Sequence, residues 1–239
     1  MSVLLVIPAR GGSKGIPRKN LQLVAGRSLI SYAIEHALAA TMVHRVIVST
    51  EDVEITEAAR SWGADVPFVR PTELAQDHVS LIPVILHAAQ AMDALGRHAT
   101  VVVSLQPTAP LLRPQTIDEG VRVLLETGCD SVVSVRKVIH NHPYRVQQMD
   151  SDGRIKPLFP DGQQYLQKQD LPVFYALTGG LYVRRRQLLE DWSGSDFCLG
   201  IDRRAVEVDA QEALNIDSPL DLALLRVLTE QQSGTELQV

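Results

Sequence analysis

The chain has 239 residues, 45% of them hydrophobic and 21% charged, which suits one α/β domain with a buried core and excludes extended disorder outside a polar tail from Glu230 to Val239. A net charge of −5 and an aromatic content of 5% argue against a nucleic-acid surface, which needs clustered Lys and Arg or stacking aromatics. Cys129 and Cys198 lack CxxC spacing, and the apolar run Val3 to Ile7 is too short for a membrane span or a signal segment, so a reduced, cytoplasmic protein with no membrane partner is expected.

Short β-rich runs alternate with helical periods along the chain. Val3 to Ile7 reads as a buried strand. Ser28 to Ala40 reads as a helix with Leu29, Ile30, Ala33, Ile34, Ala37 and Leu38 on one face. Arg45 to Ser49 is a second strand, followed by a helix capped at Thr50 and running to Gly63. Val66 to Val69 is expected to be a third strand. A helix from Ser80 to Leu95 ends at Gly96, and Thr100 to Leu105 is an unbroken apolar strand fit for the middle of a parallel sheet. A helix with Pro at its start covers Pro114 to Thr127, and Ser131 to Val138 is another strand. The rhythm breaks between Val138 and Leu177, where four prolines and polar residues suggest an excursion from the sheet. Leu181 to Val183 and Ala205 to Val208 return to strand character, and Ser218 opens a final helix with Asp221 three residues on.

This βαβαβ succession predicts an α/β fold, a mostly parallel sheet with helices on both faces. Ligands of such sheets bind outside the carboxyl ends of the strands, so the loops after Ile7, Ser49, Val69 and Leu105 are the places to search. The first carries the strongest signal, Pro8-Ala-Arg-Gly-Gly-Ser-Lys-Gly-Ile-Pro-Arg-Lys-Asn20. Gly11, Gly12 and Gly15 let backbone N–H groups approach an anion, and Arg10, Lys14, Arg18 and Lys19 bring cations that a triphosphate needs. The loop lacks the Gly-Lys-Ser/Thr ending of a Walker A motif and the GxGxxG of a dinucleotide site.

The segment from Ile7 to Leu21 resembles the opening signature of the N-acylneuraminate cytidylyltransferases, a family that includes the CMP-legionaminate and CMP-pseudaminate enzymes. Val48-Ser-Thr-Glu51, Arg70-Pro-Thr-Glu-Leu-Ala-Gln-Asp77, Leu105-Gln-Pro-Thr-Ala-Pro-Leu111 and Asn215-Ile-Asp-Ser-Pro-Leu-Asp221 resemble further family motifs in the right order. The resemblance implies a Rossmann-like nucleotidyltransferase fold over residues 1–138 and 178–230, with 139–177 inserted as a dimerisation arm. It implies transfer of CMP from CTP to the anomeric hydroxyl of an acidic nine-carbon sugar, with release of pyrophosphate.

In this reading Arg10, Lys14 and Lys19 are catalytic cations. Ala9, Arg10, Gly11, Gly12, Ser13, Lys14 and Asn20 hold phosphate and ribose. Arg70, Asp77 and Ser80 face the cytosine, and Gln106, Thr108 and Thr178 reach the sugar. Asp217 and Asn215 are the candidate ligands of a Mg²⁺ ion, which takes one or two carboxylates besides phosphate and water. The family's first Asp of that pair is Asn215 here, and Ala176 stands where sialate enzymes carry an Arg. In the family an Arg follows Pro-Leu directly; here Leu112 intervenes and Arg113 receives no role. His140 and His142 are expected at a subunit contact, Arg184 to Arg186 on a solvated surface, and Trp62 and Trp192 in packing. The alternatives are a cytidylyltransferase for another acid such as ketodeoxyoctonate, or a nucleotide-binding domain without catalysis.

Overall fold

The structure, a computed structural model, describes residues 1–194 and 196–235. Ten strands and six helices run along these residues. They are β1 (Val3–Pro8), β2 (Leu23–Val24), β3 (Arg27–Ser28), α1 (Leu29–Ala39), β4 (Arg45–Ser49), α2 (Val53–Ser61), α3 (Leu81–Ala94), β5 (Val101–Leu105), α4 (Pro114–Thr127), β6 (Ser131–Lys137), β7 (Gln147–Met149), β8 (Ile155–Pro157), β9 (Tyr175–Arg185), α5 (Arg186–Glu190), β10 (Arg203–Glu207) and α6 (Pro219–Thr235).

The central six-stranded sheet has the order β10-β6-β9-β5-β1-β4. Only β9 runs antiparallel to its neighbours, so β5 is central but parallel on one side only. Successive side chains of β1 point to opposite faces. Val3, Leu5 and Ile7 join one core with α1, α2 and α4, while Leu4 and Val6 join another with α3. A strand buried on both faces must be apolar throughout, which is why the run has no alternation. The chain passes from β1 to β4 on one side and then to β5 on the other. The β1–β5 boundary is therefore a topological switch point, where a crevice opens beyond the strand ends.

Three local expectations are corrected. The cap of α2 is Asp52, whose Oδ1 accepts the Ile55 N–H at 3.0 Å; Thr50 Oγ1 instead accepts the Asp52 N–H at 3.1 Å, in the turn just before. Residues 66–69 form no strand. Asp65 makes a single bridge to Ile47, Pro67 has no N–H for a ladder, and Val69 is exposed. The polar tail is not disordered from Glu230, since α6 continues to Thr235; residues 236–239 lie outside the described residues. The start of α6 is as read from the sequence. Asp221 Oδ2 accepts the Ser218 N–H at 2.7 Å, and Ser218 Oγ accepts the Asp221 N–H at 3.3 Å, a reciprocal cap.

Between β6 and β9 the chain leaves the sheet. The β7–β8 hairpin and three single turns gather around Tyr144, which stacks on Tyr165 at 5.5 Å and meets Phe174 edge-on at 5.4 Å. His142 belongs to this small core rather than to the outer surface. It is buried, its Nδ1 accepts the Tyr144 N–H, and its other nitrogen lies 3.0 Å from the Pro172 carbonyl.

Candidate active site

A cleft of about 500 Å³ opens beyond the carboxyl ends of β1 and β5. Its wall brings together Arg10, Ser13, Lys14, Lys19, Asn20, Arg70, Asp77, Ser80, Gln106, Thr108, Asn215 and Asp217. Ala9, Gly11, Gly12 and Thr178 are not among the lining residues. Ala9 is buried at the end of β1, where its N–H donates to the Ser49 carbonyl at 3.0 Å. The Thr178 hydroxyl lies 2.6 Å from that of Ser134 on the neighbouring strand β6.

The loop after β1 is pinned at several points, each by a polar group of opposite character. Gly11 donates its N–H to Glu51 Oε1 at 2.7 Å, so this N–H is already engaged and is not free for an anion. Arg18 makes two bonds to Asp52, at 2.5 and 3.1 Å, and a third to Glu54 at 3.0 Å. The hydrogen bond to Asp52 raises the guanidinium pKa and lowers that of the carboxylate. Arg18 is thus a fastener of the loop and does not line the cleft. Asn20 is buried and donates to the Arg10 carbonyl at 3.0 Å. Gly15 is required sterically: a Cβ there would sit 2.7 Å from the Asp217 carbonyl oxygen.

The cations that remain face the opening. Asp77, across the cleft, meets Arg10 Nη2 at 2.8 Å and Lys14 Nζ at 2.7 Å. The bond from Lys14, with that from Arg10, holds the Asp77 carboxyl below the usual carboxylate range. In this arrangement Asp77 faces the loop cations. Arg70 lies at the cleft floor with 3% of its surface exposed. Its guanidinium donates to the Ser49 carbonyl, and burial lowers its pKa to about 10. Glu51 links this floor to the loop, its second oxygen being 3.9 Å from Arg70 Nε.

On the far wall Lys19 Nζ donates to the Ile216 carbonyl at 2.8 Å and to Asp217 at 3.1 Å. Ile216 itself is buried, so Asn215 and Asp217 project the same way from an extended segment. Asn215 Oδ1 is buried with no hydrogen-bond donor. An orphaned acceptor beside an exposed carboxylate is a donor set that a hard divalent cation fits once phosphate oxygens and water complete the shell. Among the described residues no three His, Cys, Asp or Glu side chains form a self-sufficient metal cluster.

Residues 4–231 match the family model described as cytidylyltransferase. The chain belongs to the cytidylyltransferase family. Its relatives include the CMP-N,N'-diacetyllegionaminic acid synthase of Legionella pneumophila, 34% identical over 96% of this chain and 97% of the relative. The pseudaminic acid cytidylyltransferase of Campylobacter jejuni is 28% identical over 95% and 96% of the two chains. N-acylneuraminate cytidylyltransferase A of Danio rerio is 30% identical over 90% of this chain and 48% of its own length. The fold matches the structure of CMP:2-keto-3-deoxy-manno-octonic acid synthetase complexed with CTP, with a TM-score of 0.74 and 22% identity over 97% of this chain and 100% of the other.

Further features of this cytidylyltransferase escaped the sequence reading. A largely apolar recess of about 460 Å³ shares Ser80, Leu81 and Gln106 with the cleft, and its wall includes Tyr182, Trp192 and Phe197 together with Asp196. Arg184 forms part of it and is not a solvated surface residue. Its guanidinium donates to the carbonyls of Cys198 and Phe197 and to Ser104 Oγ, lies over the Tyr182 ring, and is buried. Arg186 is likewise buried, paired with Asp93 and Glu190. A burial of this kind has no local sequence signal, because the partners are carbonyls from a distant turn. Glu51 was visible as a polar end to β4, but its bond to Gly11 depends on how the two loops pack.

Proposed function

We propose that the protein joins CMP to a nonulosonic, sialic-acid-like sugar. The anomeric oxygen of the sugar forms a bond to the α-phosphorus of CTP, the bond to the β-phosphate oxygen breaks, pyrophosphate leaves, and the hydroxyl proton passes to solvent. The observation that carries this reading is the single cleft shared by the loop cations and the Asn215–Asp217 pair. Arg10 and Lys14 would exchange Asp77 for the triphosphate and offset charge moving onto the leaving group. Lys19 and Asn20 would fix the phosphate and ribose end, Arg70 and Ser80 the base end, and Gln106 and Thr108 the sugar acid. Asn215 and Asp217 would hold a Mg²⁺ ion, which neutralises phosphate charge when bound.

Two further parts belong to this proposal. The apolar recess beside Gln106 suits the methyl groups of acylamido substituents. With Ala176 at a position where sialate enzymes carry Arg, this favours a legionaminate- or pseudaminate-type diamino sugar over N-acetylneuraminate. Residues 139–177 would form an arm that pairs two copies, because Met149, Ile155, Leu166 and Val173 present apolar surface outward.

The test is pyrophosphate release with CTP and Mg²⁺ across N-acetylneuraminate, legionaminate, pseudaminate and ketodeoxyoctonate derivatives. Release is expected with a diamino nonulosonic acid. Release with ketodeoxyoctonate alone would move the protein to the eight-carbon substrate, and preferred turnover of N-acetylneuraminate would refute the diamino assignment.

A further inference from the structure

We infer that Glu212, clamped by Arg113, is a positioning residue that aims the Asn215–Asp217 segment into the cleft; the inference rests on the metal-assisted reaction proposed above. Glu212 is 3% exposed. A carboxylate so buried is tolerated only where its oxygens are well bonded, and here both are engaged. Oε1 accepts the Arg113 N–H at 2.9 Å and the Thr116 hydroxyl at 2.6 Å, while Oε2 accepts Arg113 Nη2 at 2.5 Å. The same guanidinium reaches Asp209 at 3.1 Å, and Asp209 Oδ1 in turn accepts the N–H groups of Gln211 and Glu212, each at 2.9 Å. The turn that leads into Asn215 is therefore fixed to the first turn of α4.

The segment beyond is held by different groups. The Ile216 N–H donates to the Thr108 carbonyl at 2.8 Å, and Lys19 takes the Ile216 carbonyl and Asp217. Glu212 controls the upstream end alone, three residues before Asn215 Oδ1. Neither Glu212 nor Arg113 lines the cleft, and the carboxylate has no oxygen to spare for a cation. It acts through Asn215. The displaced arginine of the Pro-Leu-Leu-Arg113 sequence thereby acquires a role: it neutralises the anchor.

Losing such an outer contact weakens metal binding on the order of tenfold, without removing any group that touches nucleotide. The experiment is calorimetric titration of CTP, with no sugar acid, in EDTA and in MgCl₂, for the wild type, Glu212→Gln, Arg113→Ala, Arg113→Lys and Thr116→Val. The wild type is expected to bind CTP more tightly in Mg²⁺. Glu212→Gln and Arg113→Ala should lose about tenfold of that gain while affinity in EDTA stays unchanged. Arg113→Lys should recover part of the gain, and Thr116→Val, which removes one bond to Oε1 and leaves the charge pair intact, should lose a smaller part of it and covers the case in which Glu212→Gln does not fold. Full retention of the gain in these variants overturns the inference. So does an equal loss in EDTA and in Mg²⁺, which marks a merely structural role. Absence of any gain in the wild type defeats the metal reading itself, and is distinguishable because it needs no variant.

Discussion

The loop after β1 contains four cations of two kinds, and the difference lies in what each one touches. Arg10 and Lys14 face a displaceable carboxylate, Asp77, whereas Arg18 is bound by two residues at the start of α2, Asp52 and Glu54. Substituting Arg10 or Lys14 with Ala should lower kcat on the order of 10²-fold or more, the scale of losing one preorganised donor to a developing charge, with the melting temperature little changed. Arg18→Ala should act in the other direction. It should cost up to about 1 kcal/mol of stability, since the pair is partly exposed, as read by urea midpoint. Comparable losses of kcat with full stability in all three variants would contradict this division. Asn215 is the second test at this scale. Its orphaned acceptor brings no charge to the cation, so Asn215→Asp should lower the Mg²⁺ concentration needed for half-maximal pyrophosphate release several-fold, on the order of tenfold at most. An unchanged Mg²⁺ requirement would mean that the side chain does not face the ion.

Elements differ in how far local sequence determines them. The helix α4 runs from Pro114 to Thr127 as its pattern predicts, because Pro at its first position, Gly128 in the left-handed region and an apolar stripe all agree. The strand expected at 66–69 is absent chiefly because of Pro67, which its apolar neighbours Val66, Phe68 and Val69 obscured. The cleft residues were legible where a motif supplies both the side chain and its direction, as in Arg10, Lys14 and Asp217. For Thr178 the motif gives no direction, because register along β9 decides whether a side chain meets Ser134 or the cleft. The clamp of Glu212 by Arg113 was illegible, as its partners are 99 residues apart. On α1, His36 shows how an element shapes pH dependence. Burial lowers its pKa below 6.5, with Glu35, Arg27 and Glu212 as nearby charges and the Leu112 backbone as a hydrogen-bond partner. The unfolded chain takes up a proton near pH 6.5 while the folded chain resists it. The neutral His36 thus stabilises fully above that value, and this contribution is lost as the pH falls through the folded pKa. Urea midpoints should therefore decline between about pH 7.5 and about pH 5.5, and His36→Gln should flatten part of the decline. The remainder belongs to His87, which burial also holds low. An identical slope in His36→Gln would show that this ring is not sensed.

At the scale of the whole molecule, an acidic chain with a cationic cleft carries one region whose surface does not fit a lone copy. The segment between β6 and β9 has its own aromatic core around Tyr144, yet it turns Met149, Ile155 and Leu166 outward, at 73%, 66% and 88% exposure. Aromatic contacts around Tyr144 hold the arm together, and outward apolar residues on it favour association. A second copy is the occupant we propose for this surface. A stable pair needs on the order of 1,000 Å² of buried surface, which the arm would supply by lying against the partner's body. Sedimentation equilibrium should show a dimer for the wild type and a monomer for Met149→Glu combined with Leu166→Glu. Because neither residue packs in the arm's core or lines the cleft, the monomer should keep its CTP affinity. A wild type that sediments as a fully active monomer would remove the arm's proposed role. A monomeric variant that binds CTP but turns over slowly would instead indicate that each arm completes the sugar side of its partner's cleft.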